Sequence, residues 1–254
     1  MGKWKWKWMG GGDCGVRLRR WGTHSMMPFP LSLSLSSAFV GPTGTVIGCD
    51  RDARRLETLA GAAARSRTSA IIRPLHADFL SLSPASRPDL PLGGVRAILL
   101  DPSCSGSGTS AVRGDWLNAA AAVGGGGKND EQEEAERGAA RLERLASFQE
   151  AALAHALAAF PAAVRVTYST CSVHVRENEA VVARVLGAGG ARAGGWRLEA
   201  ALPAWPRRGV AGAVDGLSDA EAACLVRVDP ILDETDGFFV ALFVREEAAV
   251  DAGK

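Results

Sequence analysis

From Gly44 onward, short apolar runs alternate with runs that favour helices, and this alternation restricts the possible folds more than any other feature. TVIGCD (45–50) is followed by RDARRLETLAGAAARS, whose alanine, leucine and arginine content favours a helix. AIIRPLHADF predicts a second strand. VRAILLD (95–101) predicts a third that is apolar on both faces, as a buried parallel strand should be. Strands that alternate with helices predict an α/β fold with a parallel sheet.

The second half of the chain continues this pattern. Residues 139–160 form a predicted helix that Pro161 ends, because apolar residues recur there at spacings near three and four. These residues are Leu142, Leu145, Phe148, Leu153, Leu157 and Phe160. AVRVTYST predicts a strand, RENEAVVARVLG a helix ended by Gly187, WRLEA a short strand, and GFFVALFVRE (237–246) a final β-prone strand.

Length and composition predict one α/β core with irregular appendages, since 254 residues are many for one small domain and few for two large ones. We expect a disordered or artefactual leader at 1–43, where lysine alternates with tryptophan before a glycine run; an organelle targeting segment is the alternative. The folded domain is expected at 44–247, followed by a tail at 248–254. Segment 118–138 combines glycines with an acidic cluster and predicts an inserted loop.

The charge balance excludes proteins that hold nucleic acid by charge alone. The chain has 29 lysine and arginine residues against 28 aspartate and glutamate residues, which gives a formal net charge of +1. Any contact with RNA or DNA is therefore expected to be local. No stretch reaches the roughly 18 apolar residues of a membrane span, so we expect a soluble protein with no membrane partner.

The cysteines are too scattered for a disulfide framework or a zinc site. They are Cys14, Cys49, Cys104, Cys171 and Cys224. Their number is odd, none forms a CxxC pair, and none has a histidine at ligand spacing. We therefore expect a reducing compartment, no metal, and thiols that either fill the core or take part in chemistry. His76 and His155 also lack a partner at ligand spacing, which favours structural roles.

One candidate site follows the third predicted strand, in ILLDPSCSGSGTS. The strand delivers Asp101 to the carboxyl edge of the sheet, where open α/β sheets bind ligands. Pro102 blocks continuation of the strand, and Ser103 to Gly108 form a loop of small residues that another molecule can approach closely. The alternative is that Asp101 forms a turn and Cys104 is a small buried apolar residue.

A second candidate site lies in VTYSTCSVHVRENEA, where the strand AVRVTYST ends at Thr170, Cys171 and Ser172. A helix is predicted to begin near Arg176 to Glu179. Because a helix N-terminus lowers the pKa of a nearby thiol and raises its thiolate fraction, Cys171 is a candidate nucleophile. The alternative is an inert, buried cysteine.

Together the two segments carry a family resemblance. DPSCSGSG followed by TYSTCS resembles motifs four and six of the Sun-type RNA (cytosine-5) methyltransferases, and the similarity runs from about Gly44 to Glu246. LPAWPRRG (202–209), the predicted cysteine-led strand CLVRVDP and GFFVALFVRE resemble the subgroup that modifies large-subunit ribosomal RNA. The resemblance implies a Rossmann-like class I methyltransferase sheet flanked by helices and S-adenosylmethionine as cofactor. It also implies a monomer that acts on large-subunit ribosomal RNA in the nucleus or nucleolus, or in an organelle if the leader is a transit segment.

The resemblance also implies roles for individual residues. Cys171 matches the nucleophile that attacks C6 of cytosine, and Cys104 matches the cysteine associated with resolving the covalent adduct. Asp101 matches a residue at the cytosine and cofactor-methyl end of the site. The cofactor-contacting positions are Asp50 at the ribose hydroxyls, Arg55, and Asp78 beside the adenine. A physical alternative for Asp50 is an N-cap of the helix that starts near Asp52.

The chain departs from the family upstream of TVIGCD. Members carry a glycine-containing loop there that cradles the methionine end of the cofactor, whereas this chain has PFPLSLSLSSAFVGPTG. We therefore expect the sheet to lack the usual first strand-loop-helix unit. We also expect the protein to bind the cofactor weakly. The alternative function is a catalytically inactive RNA- or ribosome-associated fragment of the same fold that has lost the cofactor loop. Candidate RNA contacts, with structural roles as the alternative, are His174, Arg176, Trp205, Arg207 and Arg208.

Overall fold

A computed structural model describes residues 40–41, 43–109, 128–187 and 190–246. The predictions for most of the leader at 1–43, for residues 118–127 of the insertion and for the tail at 248–254 fall outside these ranges. Within them the chain is a mixed α/β protein, as predicted. None of the helices that can be described there combines the length and the apolar character that crossing a membrane requires.

The strands and the three longer helices follow the predicted order, and the one-turn helix α4 was not predicted. The strands are β1 (Val46–Asp50), β2 (Ile72–His76), β3 (Ala97–Leu100), β4 (Arg165–Thr170), β5 (Arg197–Glu199), β6 (Val226–Val228) and β7 (Phe238–Val244). The α-helices are α1 (Ala53–Arg65), α2 (Lys128–Ala158), α3 (Glu179–Gly187) and α4 (Asp219–Ala222). Short 3-10 helices occupy Phe79–Ser81, Pro91–Gly94 and Val175–Glu177.

The strands form two sheets, and the larger one is mixed. Strands β1 and β2 pair in parallel, and so do β3 and β4. Strand β7, however, runs antiparallel to β4, β5 and β6, so the prediction of a wholly parallel sheet is wrong at this end. The nine residues 229–237 connect β6 to β7 without a helix, since an antiparallel partner needs no crossover helix.

Strand β3 lies at one end of the larger sheet, whose order is β3-β4-β7-β5. No strand of the described ranges pairs β1 or β2 with β3. Leu99 is 61% exposed whereas Leu100 is 8% exposed. The prediction that this strand is buried on both faces is therefore wrong, because only one face packs against the core and side chains alternate between the faces.

Helices α2 and α3 pack together and cover the buried face of the larger sheet. Tyr168, Phe239 and Phe243 are fully buried in the sheet, and Leu153 and Leu157 reach them from α2. Each large apolar side chain removed from water contributes about 1.5–3 kcal/mol. This core fixes the strands whose carboxyl ends carry the candidate site.

Helix α2 differs from its prediction in two ways. It begins at Lys128, so residues 128–138 of the predicted inserted loop are helical. The acidic cluster there holds four glutamates and one glutamine, which favour helix, and it has no glycine before Gly138. Phe148, predicted on the apolar face, is 40% exposed, while Gln149 beside it is fully buried.

The smaller sheet is attached to the main core through its side chains. Helix α1 packs on β1 and β2 through a small cluster that contains Leu56, Leu59 and Ile72. On the other face, Cys49 and Leu75 pack against the main core. The two sheets therefore share apolar contacts without sharing backbone hydrogen bonds in the described ranges.

Candidate functional site

The two predicted active cysteines meet at the carboxyl ends of neighbouring strands. Cys104 lies in the loop after β3, and Cys171 directly follows β4. Since β3 and β4 are parallel, both residues reach the same edge of the sheet. Their Sγ atoms lie 3.1 Å apart, and both thiols are free and partly buried. The structure thus joins two residues that are 67 positions apart in the sequence.

Backbone contacts hold the Cys104 loop against the end of β4. The Gly108 N–H donates to the Cys171 carbonyl at 2.9 Å, and the Gly237 N–H donates to the Gly108 carbonyl at 2.8 Å. A Cβ atom at Gly108 would lie only 2.3 Å from the Gly237 oxygen. Glycine is therefore required for the close approach of the three segments. Gly106 adopts φ of 72°, a left-handed conformation that glycine tolerates best.

A buried polar network joins the residues next to the two cysteines. Glu177 is fully buried and accepts hydrogen bonds from the Ser105 N–H at 2.9 Å, the Ser105 hydroxyl at 2.6 Å and the Gln149 amide at 3.0 Å. Burial alone would raise the pKa of Glu177, but hydrogen bonds from Ser105, Ser172 and Gln149 outweigh it and hold the pKa below its usual value. Glu177 is therefore an ionised carboxylate.

Sequence reasoning missed this network. Its only signal is that Gln149 interrupts the apolar spacing of the long helix next to a phenylalanine.

A second set of hydrogen bonds surrounds Cys171. The Thr170 hydroxyl donates to Asn178 Oδ1 at 2.6 Å, and the Asn178 amide donates to the Ser172 carbonyl at 2.9 Å. The backbone on both sides of Cys171 is thus fixed by buried side chains.

The two thiols titrate as a pair. Donation by the Cys171 thiol lowers the pKa of Cys104, and backbone N–H groups of Gly106 and Cys171 add to that effect. The pKa of Cys171 is raised, first because it donates to Cys104 and then because it is partly buried. The prediction that a helix N-terminus lowers the pKa of Cys171 is therefore wrong. Helix α3 begins only at Glu179, whereas the Cys104 sulfur is in direct contact.

Asp101 lies at the end of β3, on the same edge as the thiols. Protein atoms surround its carboxyl group although part of the residue is exposed, and this desolvation raises the pKa of Asp101. A hydrogen bond from the Ser169 hydroxyl to Oδ1, 3.3 Å long, opposes that rise. Asp101 can therefore carry a proton more readily than an aspartate surrounded by water.

The predicted cofactor-contacting residues lie on the smaller sheet. Asp50 at the end of β1 accepts hydrogen bonds from the Asp52 N–H at 2.8 Å and from Arg55 Nη2 at 3.0 Å. The alternative role for Asp50 is wrong, because Asp52 is the N-cap of α1 and accepts from the backbone of Arg54 and Arg55. Asp78, just beyond β2, caps the short helix at Phe79–Ser81.

Most of the candidate RNA contacts have structural partners. Arg176 forms ion pairs with Glu143 and Glu150 at 2.6 Å each. Arg207 pairs with Asp233 at 2.8 Å. Arg208 donates to the carbonyls of Ala201 and Leu202, and the Trp205 indole donates to the carbonyl of Arg227. The structural alternative thus accounts for these four residues, while His174 is exposed.

Both predicted structural histidines contact backbone carbonyls. His155 Nε2 lies 2.8 Å from the Leu82 oxygen, and His76 Nε2 lies 3.0 Å from the Arg51 oxygen. His155 also packs edge-on against Phe79 and Phe160. These contacts give both histidines structural roles, as predicted.

Comparison with known families matches most of the chain. The family described as 16S rRNA methyltransferase RsmB/F matches residues 34–244. A 25S rRNA (cytosine-C(5))-methyltransferase of Arabidopsis thaliana, NSUN5, is 40% identical over 209 residues, which is 82% of this chain and 33% of the relative. A 28S rRNA (cytosine-C(5))-methyltransferase of Mus musculus is 36% identical over 214 residues, which is 84% of this chain and 40% of the relative.

A further rRNA methyltransferase and two solved structures are also similar to this chain. The 25S rRNA (cytosine-C(5))-methyltransferase rcm1 of Schizosaccharomyces pombe is 40% identical over 79% of this chain and 39% of the relative. The chain thus spans between a third and two fifths of the length of these relatives. NSun6 from Pyrococcus horikoshii, solved with SFG, superimposes with a TM-score of 0.57 at 20% identity, over 85% of this chain and 45% of that one.

The second structure, a methyltransferase homolog protein from Pyrococcus horikoshii, superimposes with a TM-score of 0.53 at 21% identity. The superposition covers 80% of this chain and 54% of the other chain. At such identities the two structures bear on the fold alone, and they confirm the predicted Rossmann-like methyltransferase fold.

Proposed function

The chain belongs to the RsmB/F family of rRNA methyltransferases, as its motifs predicted, and on that premise we propose that it is an S-adenosylmethionine-dependent RNA cytosine-5 methyltransferase. We propose large-subunit ribosomal RNA as its substrate, since the relatives are named for 25S and 28S rRNA. The observation that carries the proposal is the 3.1 Å approach of the Cys104 and Cys171 sulfurs beside Asp101. The relatives are named methyltransferases, which does not favour the inactive alternative.

In the proposed mechanism Cys171 is the nucleophile. Cytosine C5 is a weak nucleophile, and addition of a thiolate at C6 divides one difficult step into two easier ones. As the Cys171 Sγ–C6 bond forms, the Cys171 proton passes to the Cys104 thiolate across the 3.1 Å contact. The electron pair moves into the ring, where Asp101 donates a proton to N3. Asp101 is exposed as a whole, but desolvation of its carboxyl by nearby protein atoms favours the protonated form that this step needs.

Methyl transfer and release complete the cycle. When bound, S-adenosylmethionine would supply a methyl group on a sulfonium sulfur to the electron-rich C5. Cys104 loses its extra proton to solvent, because the site is partly exposed. Cys104 then accepts the C5 proton, and the Cys171 Sγ–C6 bond breaks with its electron pair left on Cys171. N3 returns its proton to the Asp101 carboxylate and Cys104 returns a proton to Cys171, which restores the aromatic base and the starting protonation of the site. The target base must leave any RNA stem first, because C6 is inaccessible inside a stacked duplex.

The residues on the smaller sheet fit the nucleoside end of that cofactor. Asp50 is held at the end of a parallel strand by Asp52 and Arg55, and its side chain is 11% exposed. A carboxylate in this position accepts hydrogen bonds from both ribose hydroxyls. Asp78, at the end of the neighbouring strand, would face the adenine. We propose that Arg55 orients Asp50 through their 3.0 Å ion pair.

The proposed setting follows from the substrate. Ribosomal RNA of the 25S and 28S classes is eukaryotic, so we propose that the protein works in the nucleus, within the nucleolus. We also propose that it is a monomer, as the family resemblance implies. Its RNA contacts would be local because the net charge is only +1. Exposed His174, three residues after the nucleophile, is the remaining candidate contact of the predicted set.

Covalent trapping tests the proposed function. Large-subunit rRNA fragments are incubated with protein and S-adenosylmethionine carrying a labelled methyl group, and methyl incorporation and the protein–RNA adduct are measured. We expect Cys171→Ala to abolish both signals. We expect Cys104→Ala to form the adduct more slowly, because the proton acceptor is missing, and to accumulate it, because release of the product is blocked. Cys224→Ala is the matched control, because Cys224 contacts Ala220 and lies outside the site. Retention of the full methylation rate by Cys171→Ala would overturn the nucleophile assignment.

A further inference from the structure

Glu177 is a buried carboxylate for which the proposed mechanism has no use. It ends the one-turn helix Val175–Glu177 and is 0% exposed, while neighbouring Arg176 turns away to Glu143 and Glu150. An ionised group is costly to bury unless every lone pair has a donor. Its position between the two cysteine-bearing segments therefore requires an explanation.

Both carboxylate oxygens of Glu177 face the Cys104 loop. Oε1 accepts from the Ser105 N–H and Oε2 accepts from the Ser105 hydroxyl, at 2.9 Å and 2.6 Å. Ser105 directly follows Cys104. Hydrogen bonds to an ionised acceptor are about twice as strong as those between neutral groups. This two-point contact fixes the backbone immediately after the Cys104 thiol.

The same carboxylate is tied to the Cys171 segment and to α2. The Ser105 hydroxyl lies 3.2 Å from the Ser172 hydroxyl, which is next to Cys171. The Gln149 amide donates to Glu177 at 3.0 Å and to the Ser103 carbonyl at 2.9 Å. Residues on both sides of Cys104 and the residue after Cys171 thus meet around one charge.

We propose that Glu177 is a positioning residue that clamps the Ser103–Gly108 loop against the end of β4 and so sets the separation of the Cys104 and Cys171 sulfurs. The inference rests on the proposed function for its catalytic meaning, but the clamp itself is independent of RNA and cofactor. Removal of the carboxylate frees the loop and separates the thiols. The proton transfer between them then slows, since such transfers need hydrogen-bond contact.

The charge of Glu177 also acts on Cys104. The Cys171 thiol lowers the pKa of Cys104, and the Glu177 carboxylate opposes that lowering. The other titratable groups near the pair are Asp101 at the end of β3 and Tyr168 on β4. A Glu177→Gln variant keeps the shape of the side chain and removes its charge, so the pKa of Cys104 should fall.

Two measurements test the clamp. The first is the rate at which diamide, a two-electron oxidant that accepts both thiol hydrogens, converts Cys104 and Cys171 to a disulfide, followed by peptide mass spectrometry. We expect Glu177→Ala to slow it about tenfold or more and Glu177→Gln to slow it less. The second is the pH midpoint of Cys104 alkylation by iodoacetamide, which should fall in Glu177→Gln while Cys49 on β1 serves as the internal reference.

The matched control is Glu179→Gln. Glu179 is equally buried and charged but pairs with Arg227 and contacts Val210, not the Ser103–Gly108 loop. A merely structural carboxylate would give both variants the same disulfide rate and an unmoved alkylation midpoint, and that result would overturn the proposal. Because neither measurement uses RNA, loss of the proposed function would show instead as a missing Cys171–RNA adduct in a protein with normal thiol behaviour.

Discussion

Gly108→Ala should disrupt the site by forcing three backbone segments apart. The added Cβ would lie 2.3 Å from the Gly237 oxygen and 2.8 Å from the Gly237 carbonyl carbon. Ordinary van der Waals contact begins at 3.4 Å, so the segments must separate by about 1 Å. The atoms in the way belong to the backbone and cannot rotate aside. Gly108 also makes the hydrogen bonds to Cys171 and Gly237 that anchor the loop.

The expected cost follows from these contacts. Overpacking by one methyl group costs about 1–3 kcal/mol, and weakening two hydrogen bonds adds about 1–2 kcal/mol. Reduced freedom of the unfolded chain returns about 0.4–1 kcal/mol. We therefore expect Gly108→Ala to lower the free energy of unfolding by about 2–4 kcal/mol.

Urea unfolding monitored by circular dichroism measures this change. Gly94→Ala is the matched control, because a Cβ there meets no atom within 4 Å. Gly237→Ala should fall between the two, since its Cβ would lie 2.8 Å from Val173 Cγ1, 2.9 Å from Pro230 Cγ and 3.0 Å from the Gly108 Cα, contacts that are less severe than 2.3 Å. Equal unfolding midpoints for Gly108→Ala and Gly94→Ala would refute the close approach of these segments.

Three further variants test other contacts. Burial raises the folded-state pKa of Asp101 above its ordinary 3.8, so the stability that protonation gives is present below 3.8 and lost as pH rises through the folded pKa. Asp101→Asn should thus gain urea resistance relative to the parent between pH 4 and pH 7, and an unchanged difference would contradict the shift. Gly138→Ala, in open space on α2, should raise the unfolding free energy by about 1 kcal/mol; a loss would contradict the helix there. Arg227→Met leaves buried Glu179 without its 2.5 Å partner and should cost about 3–5 kcal/mol in urea unfolding, less than 1 kcal/mol being the contrary result.

Local sequence signals predicted the elements well. Strand and helix periods are set by residues near one another, so every strand from Val46 to Val244 appears in the predicted order. The motif resemblance joined Cys104 to Cys171 before any geometry was known. Direction of pairing is different, because it depends on which edge remains free when the chain returns. The antiparallel entry of β7 therefore had no local signal.

The remaining errors concern what surrounds a residue. Strand β3 has the apolar composition of a buried strand. The exposure of Leu99, however, depends on what covers that face of β3. Cys171 has a helix after it, yet the contact with the Cys104 sulfur decides its pKa. Glu177 gains its importance from Ser105, which lies 72 positions away. Such long-range contacts are visible only once the fold brings the side chains together.

Oxidation of the native protein measures most directly whether two distant thiols form one site. Brief treatment with diamide, digestion without reduction and mass spectrometry identify which cysteines become linked. A pair of free sulfurs 3.1 Å apart should give the Cys104–Cys171 disulfide as the main product, and the link should disappear when the protein is unfolded in urea before oxidation. A native protein in which Cys104 and Cys171 stay unlinked, or link instead to Cys49 or Cys224, would contradict the shared site.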